Sequence, residues 1–245
     1  MAKAKKKSAK RTSSATKILR DSPKTDLLEL LQQPKNVLIV FGVLFIGLIL
    51  LYKPIVFEGM DKAGKGTQCK LLQEFVKNRG KSCVRMEFPD YNSILGKEIK
   101  KFLHQKNRFP KEVQHILLSA NRWEKKEEIE NILSSGTTII MNRYYQSNLV
   151  YGISSGLDLD WLINLDRGLP KEDLVIVLDI NPNVSKERVM NNRDLFEENI
   201  ELLTKVEKNY RELSKKFGWH IIDGQRSIEV VHQEICKLYA IKIYN

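Results

Sequence analysis

The sequence predicts a three-layer α/β fold, a five-stranded parallel sheet with helices on both faces, preceded by a basic tail and an apolar helix. Three observations predict it. After residue 53, short apolar runs alternate with amphipathic stretches, the pattern of a parallel sheet covered on both sides. A glycine-rich turn joins the first run to the first amphipathic stretch. The unusual polar residues fall just after the apolar runs, where ligands of such sheets bind.

Taken in order, strands are expected at 55–58, 82–88, 137–141, 174–180 and 219–222. Helices are expected near 65–79, 94–106, 111–134, 158–166, 184–191, 197–216 and 226–240. The ligand-bearing positions are Glu58 and Asp61 after strand one, Pro89, Asp90 and Tyr91 after strand two, and Asn142 and Arg143 after strand three. No internal repeat is present.

Three segments divide the chain. Residues 1–35 form a basic tail carrying +7 of the net +11. Its first 24 residues are too poor in bulky apolar groups to order themselves. Residues 36–52 are uncharged, which leaves +4 on the domain at 53–245. That domain is mildly basic, and no specific nucleic-acid binding is expected of it. Residues 37–52 would make a helix of about 24 Å, short against a hydrocarbon core of about 30 Å. The segment reads as a membrane anchor, a partner-packed helix or a non-native start. As an anchor it would set the basic tail on the far side, against the positive-inside tendency. Cys69, Cys83 and Cys236 show no metal spacing and read as reduced, intracellular thiols.

The turn is FEGMDKAGKGTQ at 57–68. Strand, glycine-rich turn and helix together make a phosphate-loop spacing credible. Gly59, Gly64 and Gly66 let the backbone curl around an anion, and the loop amides and helix N-terminus face it. Gly59, Met60, Asp61, Lys62, Ala63, Gly64, Lys65, Gly66, Thr67 and Gln68 are therefore the candidate ATP-binding residues. Lys65 reaches the terminal phosphates, and the Thr67 hydroxyl is the candidate metal ligand. Gly66 stands where the usual pattern has Ser or Thr, and Thr67 follows one place later.

Residues 55–240 resemble the thymidylate kinases, a family of phosphate-loop nucleoside monophosphate kinases. The motifs are FEGMDKAGKGTQ at 57–68, FPD at 88–90, LLSANRWE at 117–124, NRYYQSNLVYG at 142–152, LDLDWLINLDRGLPKEDLVIVLDI at 157–180 and NRDLFE at 192–197. The resemblance implies transfer of the γ-phosphate of ATP to dTMP with Mg2+, and a homodimer. It makes Lys65, Arg143 and Lys62 the catalytic cations. Arg188 and Arg193, on the segment corresponding to the lid, would close over the donor ATP. Asp61, Leu118, Ser119, Arg122, Arg143, Ser147, Asn148 and Tyr151 would hold the acceptor. Asp61 would meet its 3′-hydroxyl, Arg122 its base edge, and Tyr151 would supply a stacking ring. Trp123 and Trp161 read as core.

Three departures stand out. Asn142 replaces the family's aspartate before the arginine, so that either another carboxylate, Glu58 or Asp179, carries magnesium with the phosphates, or turnover is slower. Tyr91 follows FPD where many relatives carry arginine. Leu118 replaces a phenylalanine that would stack on thymine. The alternatives these features keep open are a kinase for another pyrimidine nucleotide or nucleoside, and a membrane-tethered nucleotide-binding protein with little turnover.

Overall fold

The computed structural model describes residues 54–104, 109–188 and 200–244. The basic tail, the apolar segment and the 192–197 motif with Arg193 lie outside these residues. Among the described residues no helix is long and apolar enough to cross a membrane.

Five strands form one parallel sheet: β1 (Ile55–Glu58), β2 (Cys83–Glu87), β3 (Thr138–Asn142), β4 (Leu174–Asp179) and β5 (His220–Asp223). Their spatial order is β2-β3-β1-β4-β5. Each lies within about a residue of its expected bounds; the three central strands β3, β1 and β4 are almost continuously buried apolar runs, with no polar alternation to blur them. β1 is buried throughout and pairs with β3 on one side and β4 on the other. The chain leaves β1 for the far strand β2, returns to β3, then crosses to β4. The carboxyl end of β1 is thus the point where strand order reverses, and the crevice there is the ligand site of open α/β sheets.

The described helices are α1 (Lys65–Lys77), α2 (Ile94–Leu103), α3 (Lys111–Trp123), α4 (Lys126–Ser134), α5 (Tyr145–Ser154), α6 (Leu159–Leu165), α7 (Pro182–Arg188), α8 (Ile200–Phe217) and α9 (Ile228–Tyr244). Several helix starts carry their own caps, among them those of α2 and α6. Ser93 Oγ accepts from the Gly96 N–H at 2.9 Å, and Asp158 Oδ1 accepts from the Trp161 N–H at 2.8 Å, each satisfying an orphan amide of a first turn.

Two helical expectations needed correction. The single helix expected at 111–134 is two, α3 and α4, broken at Glu124 and Lys125 where neither Pro nor Gly announces a stop. And α5 has no counterpart among the expected helices. Gln146, Asn148, Leu149, Val150, Tyr151, Gly152 and Ser154 are all buried. A helix buried on several faces has no apolar stripe to read.

Candidate active site

At the end of β1 the backbone turns sharply. Gly59 has φ +129°, and a Cβ there would lie 2.4 Å from the Leu178 carbonyl oxygen on β4, so only glycine fits. Gly64, with φ +96°, stands at the N-cap of α1. Between them the loop opens its amides at the positive end of the helix.

Lys65 is buried at the base of that loop. Its Nζ donates to the carbonyl oxygens of Gly59 at 3.0 Å and Met60 at 2.7 Å. Burial pushes its pKa down, Arg143 adds to this, and the result is about 8 despite the carboxylates of Asp61 and Glu58. Asp61 Oδ1 accepts from Arg143 Nη2 at 2.7 Å. Burial would raise the Asp61 carboxyl, but Arg143 and Lys65 together hold it at about 2.

Arg143 itself follows β3 with φ +68°, a left-handed conformation that costs a non-glycine residue on the order of 1–3 kcal/mol. Its N–H donates to the Phe57 carbonyl at 2.9 Å, extending the β1–β3 ladder by one bond. Its guanidinium also donates from Nη1 to Ser147 Oγ at 2.8 Å and lies over the Tyr151 ring at 5.5 Å. The strained turn therefore aims one planar cation between the loop and α5.

Behind this cation lies Glu58, one of the two carboxylates that the sequence offered as a substitute metal ligand. Glu58 is fully buried. Its Oε1 accepts from the N–H groups of Tyr144 at 2.9 Å and Ser147 at 3.1 Å. Its Oε2 accepts from Ser147 Oγ at 2.6 Å and Tyr210 Oη at 2.9 Å. Glu58 thus caps α5 from the central strand and ties it to α8. With four donors on two oxygens it has no place for a cation. Asp179 is engaged too, accepting from Arg211 Nε at 3.0 Å and Nη2 at 2.8 Å. Both bonds fall on Asp179 Oδ2, and Asp179 is not among the residues lining the cavity that holds Lys65 and Thr67.

The opposite wall is closed by its own polar contacts. Arg122 Nε and Nη2 donate to Asp166 Oδ1 and Oδ2 at 3.0 and 2.7 Å, with both side chains almost fully buried. Ser119 Oγ meets the same carboxylate at 2.9 Å. His115 Nδ1 and Asn148 Oδ1 are 2.6 Å apart, and Asn148 Nδ2 returns a bond to the His115 carbonyl at 3.2 Å. Burial pushes the His115 pKa down to about 4. Asn121, also fully buried, donates to Ser93 Oγ at 2.8 Å and accepts from the Asp90 N–H at 2.8 Å, fixing the loop that carries Tyr91.

A cavity of about 540 Å³ opens between the two walls. Of the expected site residues, Asp61, Lys62, Gly64, Lys65, Gly66, Thr67, Leu118, Arg122, Arg143, Ser147, Asn148 and Tyr151 line it, together with Tyr91. Met60 and Ala63 are core residues, and Gln68 Nε2 donates to the Ile228 carbonyl at 3.0 Å. Gly59 is buried in the turn itself, and Ser119 faces Asp166 rather than the cavity. Arg188 ends α7, with its side chain outside the described structure. α7 is rooted on the loop, because Ser185 Oγ donates to the Asp61 carbonyl at 2.7 Å. Trp161 packs partly buried against the core, but Trp123 is 39% exposed, with Nε1 donating to the Leu165 carbonyl at 2.9 Å. Sequence reasoning missed the site roles of Tyr210, His115, Asp166, Asn121 and Glu87. Each partners a residue far away in sequence, so no local signal marks them.

The oxygen atoms near the loop suit a hard divalent cation. The Thr67 hydroxyl is exposed at the first turn of α1, the Glu87 carboxylate lines the cavity, and Asn142 Oδ1 is buried without a hydrogen-bond partner. Magnesium prefers such oxygens, largely through its own waters.

Fold and cavity define a phosphate-loop protein with space for a second ligand beside the loop, the class of the nucleotide kinases. The chain belongs to the thymidylate kinase family, whose family model matches residues 57–235. A thymidylate kinase of Plasmodium falciparum is 37% identical over 187 residues, spanning 76% of this chain and 88% of its own. One from Schizosaccharomyces pombe is 37% identical over 189 residues, spanning 75% and 90%. The solved structure of a Candida albicans thymidylate kinase superposes with a TM-score of 0.71 at 26% identity, covering 78% of this chain and 92% of that one.

Proposed function

We infer that the protein transfers the γ-phosphate of ATP to dTMP, giving ADP and dTDP. One observation carries this reading: a single cavity has a phosphate-loop wall bearing Lys65 and a base-sized wall bearing Leu118, Arg122 and Asn148, with Arg143 between them. Transfer between two phosphates asks for positioning and charge neutralisation rather than covalent help. Lys65 exchanges its contacts to the Gly59 and Met60 carbonyls for the donor phosphates. Arg143 exchanges Asp61 for the acceptor phosphate or the group in flight, and its planar fork suits two phosphate oxygens at once. Asp61 is then released toward the acceptor sugar. Lys62, exposed in the loop at φ +60°, adds a further cation on the transfer path. The acceptor oxygen is already ionised at neutral pH, so no general base is required. Arg188 and Arg193 belong to the lid in this reading, where closure excludes the water that would otherwise take the phosphate.

Magnesium fits the site through Thr67 and the nucleotide phosphates, and when bound it neutralises developing charge on the phosphoryl oxygens. The metal and the homodimer are carried by family membership. ATP and dTMP as substrates put the catalytic domain with cytosolic nucleotide. Membrane contact through residues 37–52 is a separate reading carried by composition alone; partition of the intact chain into vesicles, set against residues 53–245, tests it.

The deciding experiment is a coupled ADP-release assay on the full chain with ATP, Mg2+ and dTMP, run beside dCMP, dUMP, AMP and thymidine. Preferential turnover of dTMP is the expected result. Preference for another acceptor would move the assignment to a related kinase, and nucleotide binding without any turnover would leave a binding protein.

A further inference from the structure

The carboxylates around the cavity can be sorted by what already holds them. Asp61 pairs with Arg143 at 2.7 Å, Glu58 accepts four hydrogen bonds, and Asp179 pairs through Oδ2 with Arg211 at 2.8 Å and does not line the cavity. Glu87 differs. It ends β2 directly opposite Asn142 at the end of β3. It is exposed and lines the cavity with Lys65 and Thr67. Among the described residues it makes no ion pair, and its one hydrogen bond is accepted by Oε1 from Asn142 Nδ2 at 2.7 Å. Oε2 is left for a ligand.

We propose that Glu87, held by Asn142, is the carboxylate this chain presents to the hydrated divalent cation of the bound nucleotide. The proposal rests on the phosphotransfer reading above. Neighbouring strands lie about 4.8 Å apart, and the extra methylene of glutamate carries a β2 carboxylate across that gap to the head of β3. Asn142 has two roles in the pair. Its amide N–H holds Glu87 in place, and the same contact turns Oδ1 away as a buried acceptor with no protein partner, available to a metal-bound water. An aspartate at 142 would set two like charges within hydrogen-bond distance, an arrangement that forces one of them to give up its charge. The residues at 87 and 142 are therefore a matched choice. One negative charge is kept at the head of the two strands, and it sits on β2.

The test is Mn2+ binding, read by its electron paramagnetic resonance signal, to the full chain with a non-hydrolysable ATP analogue. Glu87→Gln should weaken Mn2+ binding by about tenfold, the lower end of what loss of an outer-shell partner costs a metal site. Affinity for the metal-free analogue should be unchanged. The double variant Glu87→Gln with Asn142→Asp returns the charge to β3 and should recover most of the Mn2+ affinity. Glu87→Gln binding Mn2+ within twofold of the wild type would overturn the proposal. So would a double variant as weak as the single one, because the carboxylate would then act by some route other than its place beside the nucleotide. If the wild-type chain binds no Mn2+ with the analogue and forms no dTDP, the phosphotransfer reading itself fails. An active wild type with an indifferent Glu87→Gln removes only the present proposal.

Discussion

The two walls of the cavity solve opposite problems. On the loop side the cations are held by stand-ins: Lys65 by two carbonyl oxygens and Arg143 by Asp61. Those contacts are made to be exchanged for phosphate. On the base side the polar groups are closed on themselves, the Arg122 charge on Asp166 and the neutral His115 on Asn148. That wall is finished before any ligand arrives. The difference teaches that equal-looking ion pairs in one site need not do equal work. A partially buried pair can store a cation for catalysis, while a fully buried pair shapes a surface and supports the fold.

The comparison can be broken by substitutions on either side. The largest effect is expected on the closed wall. Asp166→Ala strands the Arg122 charge in the interior, and breaking a buried pair from one side costs about 3–5 kcal/mol. Urea denaturation should show that loss; an unchanged midpoint with only a raised KM for dTMP would mean the two walls are alike after all. On the loop side Lys65→Ala should lower kcat by about 10²–10³-fold, the range for losing one preorganised donor to developing charge, with the unfolding midpoint hardly moved. The wild type adds a pH signature. Lys65 titrates at about 8 in the free protein, so ATP affinity should decline as pH rises through that value, and calorimetry in two buffers should register proton uptake on binding.

A third effect separates the walls by acid. The folded chain holds His115 neutral down to about pH 4, whereas an unfolded histidine takes its proton near 6.5. Between these values the unfolded chain binds more protons, so stability falls as pH is lowered, by up to about 3 kcal/mol at roughly 1.4 kcal/mol per pKa unit. Denaturation midpoints at pH 7 and 4.5 measure this, and His115→Gln should flatten the slope. The smallest effect belongs to Leu118. Leu118→Phe adds a ring to the base wall, and a favourable π-contact of about 0.5–1.5 kcal/mol should lower KM for dTMP a few-fold while leaving kcat alone.

Much of the fold could be read from the chain because the centre of its sheet, β3, β1 and β4, is built of continuous buried strands. The phosphate loop was equally legible: the signal is local, eleven residues from Glu58 to Gln68 between a strand and a helix. What escaped was everything held at a distance. α5 has no stripe, and its first-turn amides are capped by Glu58, 86 and 89 residues away in sequence. Asp166 reads as one acid among many until the fold sets it against Arg122. The loss of aspartate at 142 looked like a missing charge, because nothing local says that Glu87 lies opposite. The membrane question stays with residues 36–52, which lie outside the described structure.

Glu58 has a last consequence, for the history of such a chain rather than its chemistry. Three separate elements give their hydrogens to this one carboxylate, through the main chain before α5, the Ser147 hydroxyl and the Tyr210 hydroxyl. Replacing Glu58 alone leaves the amides and hydroxyls that it serves without their acceptor, a step that costs about 1–3 kcal/mol for each buried group left unpaired. Drift at positions 58, 147 and 210 is therefore bound together. In descendants of this chain the three should change in concert or stay as they are, however freely the surface around them diverges.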